Sequence, residues 1–424
     1  MKAVRRRALD VLVAIGHHFW QAPDGGIYPE PPPNFNDAFW RRYLEVFEEV
    51  VVLARVRDVS QTPPPHTRAD GPGIRFFPLA DFRGAWQYVW RLAGLKRLVR
   101  EAVEGRSAFI LRAPDVVSFL VWEELRRLQK PFAVEVIADP WDLFAPHSVD
   151  GWTRPFARRV WAKNLARICA EACAISYVTR ERLQQRYPPR PGIPTFAISS
   201  GGIGRERFAD EAALAARFAR FEGRKPETVQ IANPFRLGFV GMVERLYKAP
   251  DVLLQAFAIC LRQGWNLRLD LLGDGRWRAR LEQMAARLGI AGSVRFLGAL
   301  EPGPAIFRFL DEVDLFVLPS RQEGLPRAMI EAMARGCPCI GSTVGGIPEL
   351  LPPEDTVPPG DAAALARKIG EVLSSPTRMH LMARRNLETA VEYAQDVLAE
   401  RRKSFYATVR RVSQEAQEVA VCSR

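Results

Sequence analysis

Three observations predict an α/β chain of two Rossmann-like, doubly wound domains facing across a cleft. Short apolar runs alternate with helix-length patterns, the signature of βαβ units and parallel sheets. The alternation begins afresh about halfway along the chain. The 424 residues, 48% hydrophobic and 25% charged, are also too many for one ordinary core.

The first series opens with Asp10 to Ile15. The basic residues before it, Lys2 and Arg5 to Arg7, suggest an export signal only superficially. The apolar stretch that follows is interrupted by Asp10 and closed by His17 and His18, which is too short and too polar, so it reads as the first buried strand. Val50 to Ala54, Ala108 to Leu111, Phe132 to Ile137 and Ala174 to Val178 continue the series until the proline-rich Pro188 to Pro194. The second series opens with Phe235 to Val240, turns at Gly241 and enters a helix whose Pro250 and Asp251 suit a first turn. Leu267 to Leu272, Val294 to Leu297, Leu315 to Leu318 and Pro338 to Ile340 are its further strands. Residues 1–195 are thus expected as one domain, 196–230 as a linker and 231–377 as the second domain. The charged amphipathic stretch 378–424 is expected as helix crossing back to the first domain. Ligands belong at the carboxyl ends of the strands.

Composition narrows the function classes. No apolar run approaches the roughly 18 residues of a spanning helix, so any membrane contact is peripheral. Six scattered cysteines form no Cys-x-x-Cys pair, which fits reduced thiols in a cytoplasmic protein and no metal site. The net charge is +12, but only eight of the 60 basic residues are lysines, an arginine bias that weakens any nucleic-acid argument from charge. No recognition helix or aromatic-basic motif accompanies that charge, and no nucleic-acid partner is expected.

The chemistry concentrates in Asp314 to Leu351, DLFVLPSRQEGLPRAMIEAMARGCPCIGSTVGGIPELL. Leu315 to Leu318 reads as a strand, Pro319 to Gly324 as the loop at its carboxyl end, and Pro326 as the first residue of a helix, where its missing N–H costs nothing. The amino end of that helix offers a phosphate its dipole, with the Leu325 amide and Arg327 as donors. Glu323 lies in the loop, and Glu331 about one and a half turns into the helix with its side chain tilted back. Two carboxylates beside a diphosphate would repel it, so their targets are hydroxyls, a ribose for one and a transferred sugar for the other. The plain alternative is a surface glutamate and a capping acid. The apolar neighbours Ala328, Met329, Ala332 and Met333 weigh against it for Glu331.

This stretch resembles the Glu, seven residues, Glu signature of the retaining glycosyltransferases of family 4, which have the GT-B fold. The resemblance extends through Gly241 to Gly346. It implies ribose contact by Glu331 and contact with the donor sugar by Glu323. Upstream, GFVGMVERLYKAPDVLLQAF resembles the family's strand and basic loop, in which an arginine and a lysine neutralise the donor diphosphate. Lys248 matches the lysine; Met242 stands at the arginine position, and Arg245 is the nearby substitute. Gly241, Gly273 in LLGDG, Gly324 and the pair Gly345 and Gly346 match turns beside the donor, and Leu297 lies where the family places the base.

In the first domain, Gly25 and Gly26 resemble a glycine pair that lets backbone approach the donor phosphates. Asp139 matches the acid of the family's His-Asp pair, with Ala138 in the histidine's place. His17, His18 and His147 read as packing or surface residues. The segment Thr153 to Cys173 is a basic amphipathic helix suited to an anionic membrane surface, and Trp86 to Val103 is a second candidate.

The resemblance implies a metal-independent transferase with no cofactor beyond its substrate, a UDP- or GDP-linked sugar, and a saccharide or lipid-linked acceptor. It places the chain in the cytoplasm or at the inner face of the membrane. The alternatives are a nucleotide-sugar epimerase of the same fold and a noncatalytic nucleotide-sugar-binding subunit.

Overall fold

The computed structural model describes residues 9–31, 34–145, 153–222, 234–300 and 303–422. Its contacts divide the chain into two compact units, one of residues 1–140, 157–198 and 400–424, the other of 141–156 and 199–399. Among the described residues no helix is long and apolar enough to cross a membrane.

Unit 1 is built on strands β1 (Asp10–Gln21), β2 (Ile27–Pro29), β3 (Glu49–Asp58), β4 (Ile74–Ala80), β5 (Ala108–Ala113), β6 (Ala133–Val136), β7 (Ala174–Tyr177) and β8 (Thr195–Ala197). Their order is β4-β3-β1-β5-β6-β7-β8, with β2 folded antiparallel onto the outer part of β1. Helices cover both faces of a parallel sheet, so its central strands carry apolar runs rather than an alternating pattern. Val11 to Ala14 and Val50 to Ala54 are all buried. β1 continues six residues past Ile15. Its register with β3 shifts between Ala14 and His18 and pairing then resumes at His18↔Arg55, a bulge rather than an end. β4 to β5 and β5 to β6 step the same way across the sheet, so right-handed crossovers put the helices Gly84–Val103 and Val116–Arg127 on one face.

The helix Gln395–Cys422 closes unit 1 from residue 400 onward. Phe405, Tyr406 and Val409 enter the same apolar cluster as Trp40, Tyr43 and the β1 and β3 side chains. The Tyr406 ring stacks on Tyr43 with centroids 4.5 Å apart, and its hydroxyl donates to Glu135 at 3.2 Å. Glu135 also accepts from Tyr43 at 3.0 Å and from Arg112. Burial pushes its carboxyl up, but Arg112, Arg42 and the two phenols outweigh it and hold the group below its ordinary value.

Unit 2 carries β9 (Phe235–Val240), β10 (Leu267–Leu272), β11 (Val294–Gly298), β12 (Leu315–Leu318), β13 (Cys339–Ser342) and β14 (Thr356–Val357) in the parallel order β11-β10-β9-β12-β13-β14. Within the stretch read as linker, the structure instead forms the helix Glu211–Phe221, capped by Asp210 and packed on this unit. The buried Arg217 fixes it by donating to the Val313, Leu310 and Arg335 carbonyls. Residues 223–233 lie outside the described residues.

Candidate functional site

In unit 2 the chain winds from β9 outward to β11 and then returns to β12 on the other side of β9. The carboxyl ends of β9 and β12 therefore flank the topological switch point, where open α/β sheets leave a crevice for ligands. Two loops meet there, 241–249 after β9 and 319–326 after β12. The Arg321 amide donates to the Tyr247 carbonyl at 2.7 Å. The Arg321 guanidinium reaches the Leu246 carbonyl at 3.0 Å and both oxygens of Asp251 at 2.8 and 2.6 Å. Asp251 lies in the first turn of the helix Pro250–Arg262, so this bidentate pair ties the β12 loop to the helix that follows the β9 loop.

Lys248 and Glu323 face each other inside this joint. Lys248 Nζ donates to Glu323 Oε1 at 2.7 Å, and Ser320 Oγ donates to the same oxygen at 2.9 Å. Both side chains of the ion pair are largely buried. Among the described residues no protein donor is recorded on Glu323 Oε2, which leaves that oxygen for a ligand hydroxyl. Ser320 is itself seated by Ser342, whose hydroxyl donates to its carbonyl at 2.5 Å. Directly after Lys248, Ala249 adopts a left-handed conformation at φ 54°, an unusual cost for a residue with a Cβ. It turns the chain from the loop into the helix and leaves the Lys248 stem lying across Gly241, where an added Cβ would come within 2.3 Å of Lys248 Cδ.

The predicted glycine turns are close backbone approaches. At Gly273, with φ 146°, a Cβ would fall 1.9 Å from the Gly241 carbonyl oxygen, so the turn after β10 rests on the turn after β9. At Gly345, with φ 56°, a Cβ would fall 1.8 Å from the Glu323 carbonyl oxygen, and the Gly346 amide donates to the Gly324 carbonyl at 2.6 Å. The turn after β13 thus supports the loop that carries Glu323.

The helix after this loop runs Arg327–Ala334, with Pro326 as its extended N-cap at φ −75° and ψ 104° rather than its first helical residue. Gly324 is exposed, and Leu325 packs partly against the core. Arg327 is exposed at the helix start, and its stem passes over Gly201. Glu331 is partly buried. Burial raises its pKa above the ordinary value, while Arg327 and Arg207 pull it back without cancelling the rise.

The structure brings Lys248, Glu323, Gly241, Gly273 and Gly324 into one cluster of loops, with Gly345 and Gly346 beneath and the Leu325–Glu331 segment leading away from it. Arg245 caps the turn Leu246–Lys248 in the same loop, and Met242 is 55% exposed beside it. Leu297 is exposed near the end of β11, an edge strand of the sheet. Asp139, Gly25 and Gly26 belong to unit 1. Asp139 is buried and accepts from Arg186 and Tyr187, each at 2.6 Å, so both its oxygens hold a neighbouring segment. Gly25 and Gly26 form the β1–β2 hairpin turn, closed by its own bonds from the Gly25 amide to the Ala22 carbonyl and from the Gly26 amide to Asp24.

Sequence reasoning missed Ser320, the Arg321–Asp251 brace and the closeness of Arg207 to Glu331. In unit 1, His18, read from the sequence as a packing or surface residue, has its Nδ1 2.6 Å from Asp81. Burial, then Arg55, lowers the His18 pKa despite that partner. Residue His147 lies outside the described residues.

The family described as glycosyl transferases group 1 matches residues 234–375, which hold every loop of this cluster. Protein CapJ of Staphylococcus aureus is 23% identical over 342 residues, 80% of this chain and 81% of its own length. The amylovoran biosynthesis glycosyltransferase AmsK of Erwinia amylovora is 38% identical over 130 residues, 28% of this chain and 31% of its own. Among solved structures, HepE of Anabaena in complex with UDP superposes with a TM-score of 0.60 at 16% identity, covering 98% of this chain and 100% of that one. Residues 234–375 thus match the group 1 glycosyltransferases, and the chain as a whole has the two-sheet α/β GT-B fold.

Proposed function

We propose that this chain moves a sugar from a nucleotide-diphosphate sugar to an acceptor hydroxyl with retention of anomeric configuration, in polysaccharide or glycolipid synthesis and without a metal ion. The observation that carries this reading is the Lys248–Glu323 pair at the switch point of the unit 2 sheet. Lys248 is a fixed cation held by Glu323 in the loop that leads into the helix Arg327–Ala334, and the cation and the helix start suit a departing diphosphate. Glu323, oriented by Lys248 and Ser320, offers Oε2 to a sugar hydroxyl, and Glu331 serves the ribose. Arg245 and Arg327 add positive charge around the donor. The acceptor oxygen bonds to the anomeric carbon on the face from which the diphosphate leaves, the C–O bond breaks with its electron pair on the phosphate oxygen, and the acceptor proton passes to that oxygen. Asp139, already held by Arg186 and Tyr187, takes no part in this scheme.

The UDP bound to HepE supports a UDP-linked donor, with GDP-linked sugars as the other class to test. The name of AmsK supports a polysaccharide product. A lipid-linked acceptor gives unit 1 a reason to touch the inner face of the membrane. Screening UDP- and GDP-sugars for thermal stabilisation identifies the donor, because a ligand of the folded state raises its melting temperature by mass action. With that donor, Lys248→Ala and Glu323→Gln each lower turnover about a hundredfold or more, the scale of losing one fixed charge partner in the transition state. Wild-type turnover in both variants refutes the assignment, and an inverted product anomer refutes retention.

A further inference from the structure

Trp86, Val89 and Trp90 are 74%, 60% and 75% exposed on the helix Gly84–Val103. Their spacing puts them on one face of its first two turns, and the two indoles meet edge to face with centroids 6.2 Å apart. Leu95, Val99, Ala102 and Val103, farther along, are buried against unit 1. Core packing therefore accounts for the later turns and leaves the tryptophan face in solvent. The sequence-ranked first candidate behaves differently. In the helix Arg154–Glu171, Leu165, Ile168 and Cys169 are buried and Trp161 packs edge-on against Phe119 at 5.3 Å, although Phe156 and Val160 at its start stay exposed.

Cations surround the tryptophans. The helix holds Arg91, Lys96, Arg97 and Arg100 against one acid, Glu101, and Arg83 precedes it. Arg83 pairs with Glu30 at 2.6 Å, Lys96 with Glu123 at 3.0 Å and Arg97 with Glu101 at 3.6 Å. Exposed pairs of this kind are worth at most about 1 kcal/mol, so a lipid phosphate competes for the cations readily. We propose that the first two turns of this helix dock on an anionic lipid bilayer, with both indoles in the headgroup layer and the flanking cations on lipid phosphates. A second copy of the chain fits the face less well: three such side chains offer roughly 450 Å², against about 800 Å² per partner in a stable interface. The proposal rests on the reading of a lipid-linked acceptor, because it gives that acceptor a surface to be met on.

Flotation of the full chain with phosphatidylcholine vesicles, with and without phosphatidylglycerol, tests it. The chain is expected to float with the anionic vesicles and to be released by salt. Trp86→Ser with Trp90→Ser lowers the bound fraction about tenfold or more, at unchanged melting temperature and unchanged stabilisation by the nucleotide-sugar. Phe156→Ser leaves binding as it was. Failure of the parent chain to float overturns the proposal, as does equal flotation of the double variant or equal binding to phosphatidylcholine alone. A parent dimer that the double variant dissociates assigns the face to a second copy and overturns it too. If the glycosyltransferase reading fails instead, no chain is stabilised by any nucleotide-sugar, and the vesicle result stands apart from that.

Discussion

At the scale of single residues, Glu331 holds a charge where burial resists it. Its native pKa is raised above the unfolded value of about 4.3, so the folded chain binds this proton more tightly than the unfolded one. The stability associated with Glu331 is therefore greatest at acidic pH, falls as pH rises through the unfolded value toward the raised native one, and stays low above it. Glu331→Gln removes that cost. It is expected to raise the melting temperature at pH 7.5 by roughly 1–3 °C while weakening nucleotide-sugar binding, and a thermal scan with and without donor reads both. A lower melting temperature in the variant contradicts the account. Gly345→Ala acts in the opposite sense. Its methyl group meets the Glu323 carbonyl at 1.8 Å in a backbone conformation that L residues avoid, so the loop must move. Circular dichroism should stay native while donor stabilisation is lost. Glu323, Glu331 and Lys248 were legible because one short motif and one basic loop contain them. Ser320 was within view but unread. The Arg321–Asp251 brace was not legible, because it joins residues 70 apart and neither has a distinctive local pattern.

Among the elements, the central strands and the edge strand β11 were legible, and the other edges were not. β7 and β12 are short runs without a charge, and β5, β9 and β10 are apolar apart from Arg112, Arg236, Arg268 and Asp270, as strands buried on both faces tend to be. β4 escaped because IRFFPLA carries Arg75 and Pro78 and pairs on one side only, with β3. The three-residue β8 and two-residue β14 are also edge strands, too short to carry a pattern. The helix Glu211–Phe221 escaped for another reason. Its polar anchor, Arg217, is buried at 2% exposure, and arginine at an inward position is what sequence reading takes for surface. Arg217→Ala leaves three carbonyls without this donor and should lower unfolding stability by about 2–4 kcal/mol, read from the urea midpoint. Arg217→Lys should recover part of it. Equal midpoints for Ala and wild type show that the helix adds nothing to unit 2.

For the molecule as a whole, the order of residues along the chain is not the order of its units. Unit 1 draws on residues 400–424 as well as 1–140 and 157–198. A chain ending at Ala399 exposes the cluster around Trp40 and Tyr43 and leaves Glu135 without Tyr406. Calorimetry of that chain should show the unit 1 transition displaced to lower temperature, while the nucleotide-sugar still stabilises a remaining transition from unit 2. Loss of the donor response as well means that the two units do not melt separately.

The same closing helix bears on how the protein is made. Synthesis delivers the β1–β8 strands first, yet Tyr406 reaches Glu135 across a sequence separation of 271. The nascent first half must wait, with an ionised carboxyl and an open apolar face, through the translation of all of unit 2. A ribosome that stalls or terminates just after unit 2 therefore releases a chain whose second unit can mature and whose first cannot. Such fragments carry an exposed Trp40 and Tyr43 surface for chaperones and proteases to find, so unit 1 matures only after unit 2 has been synthesised.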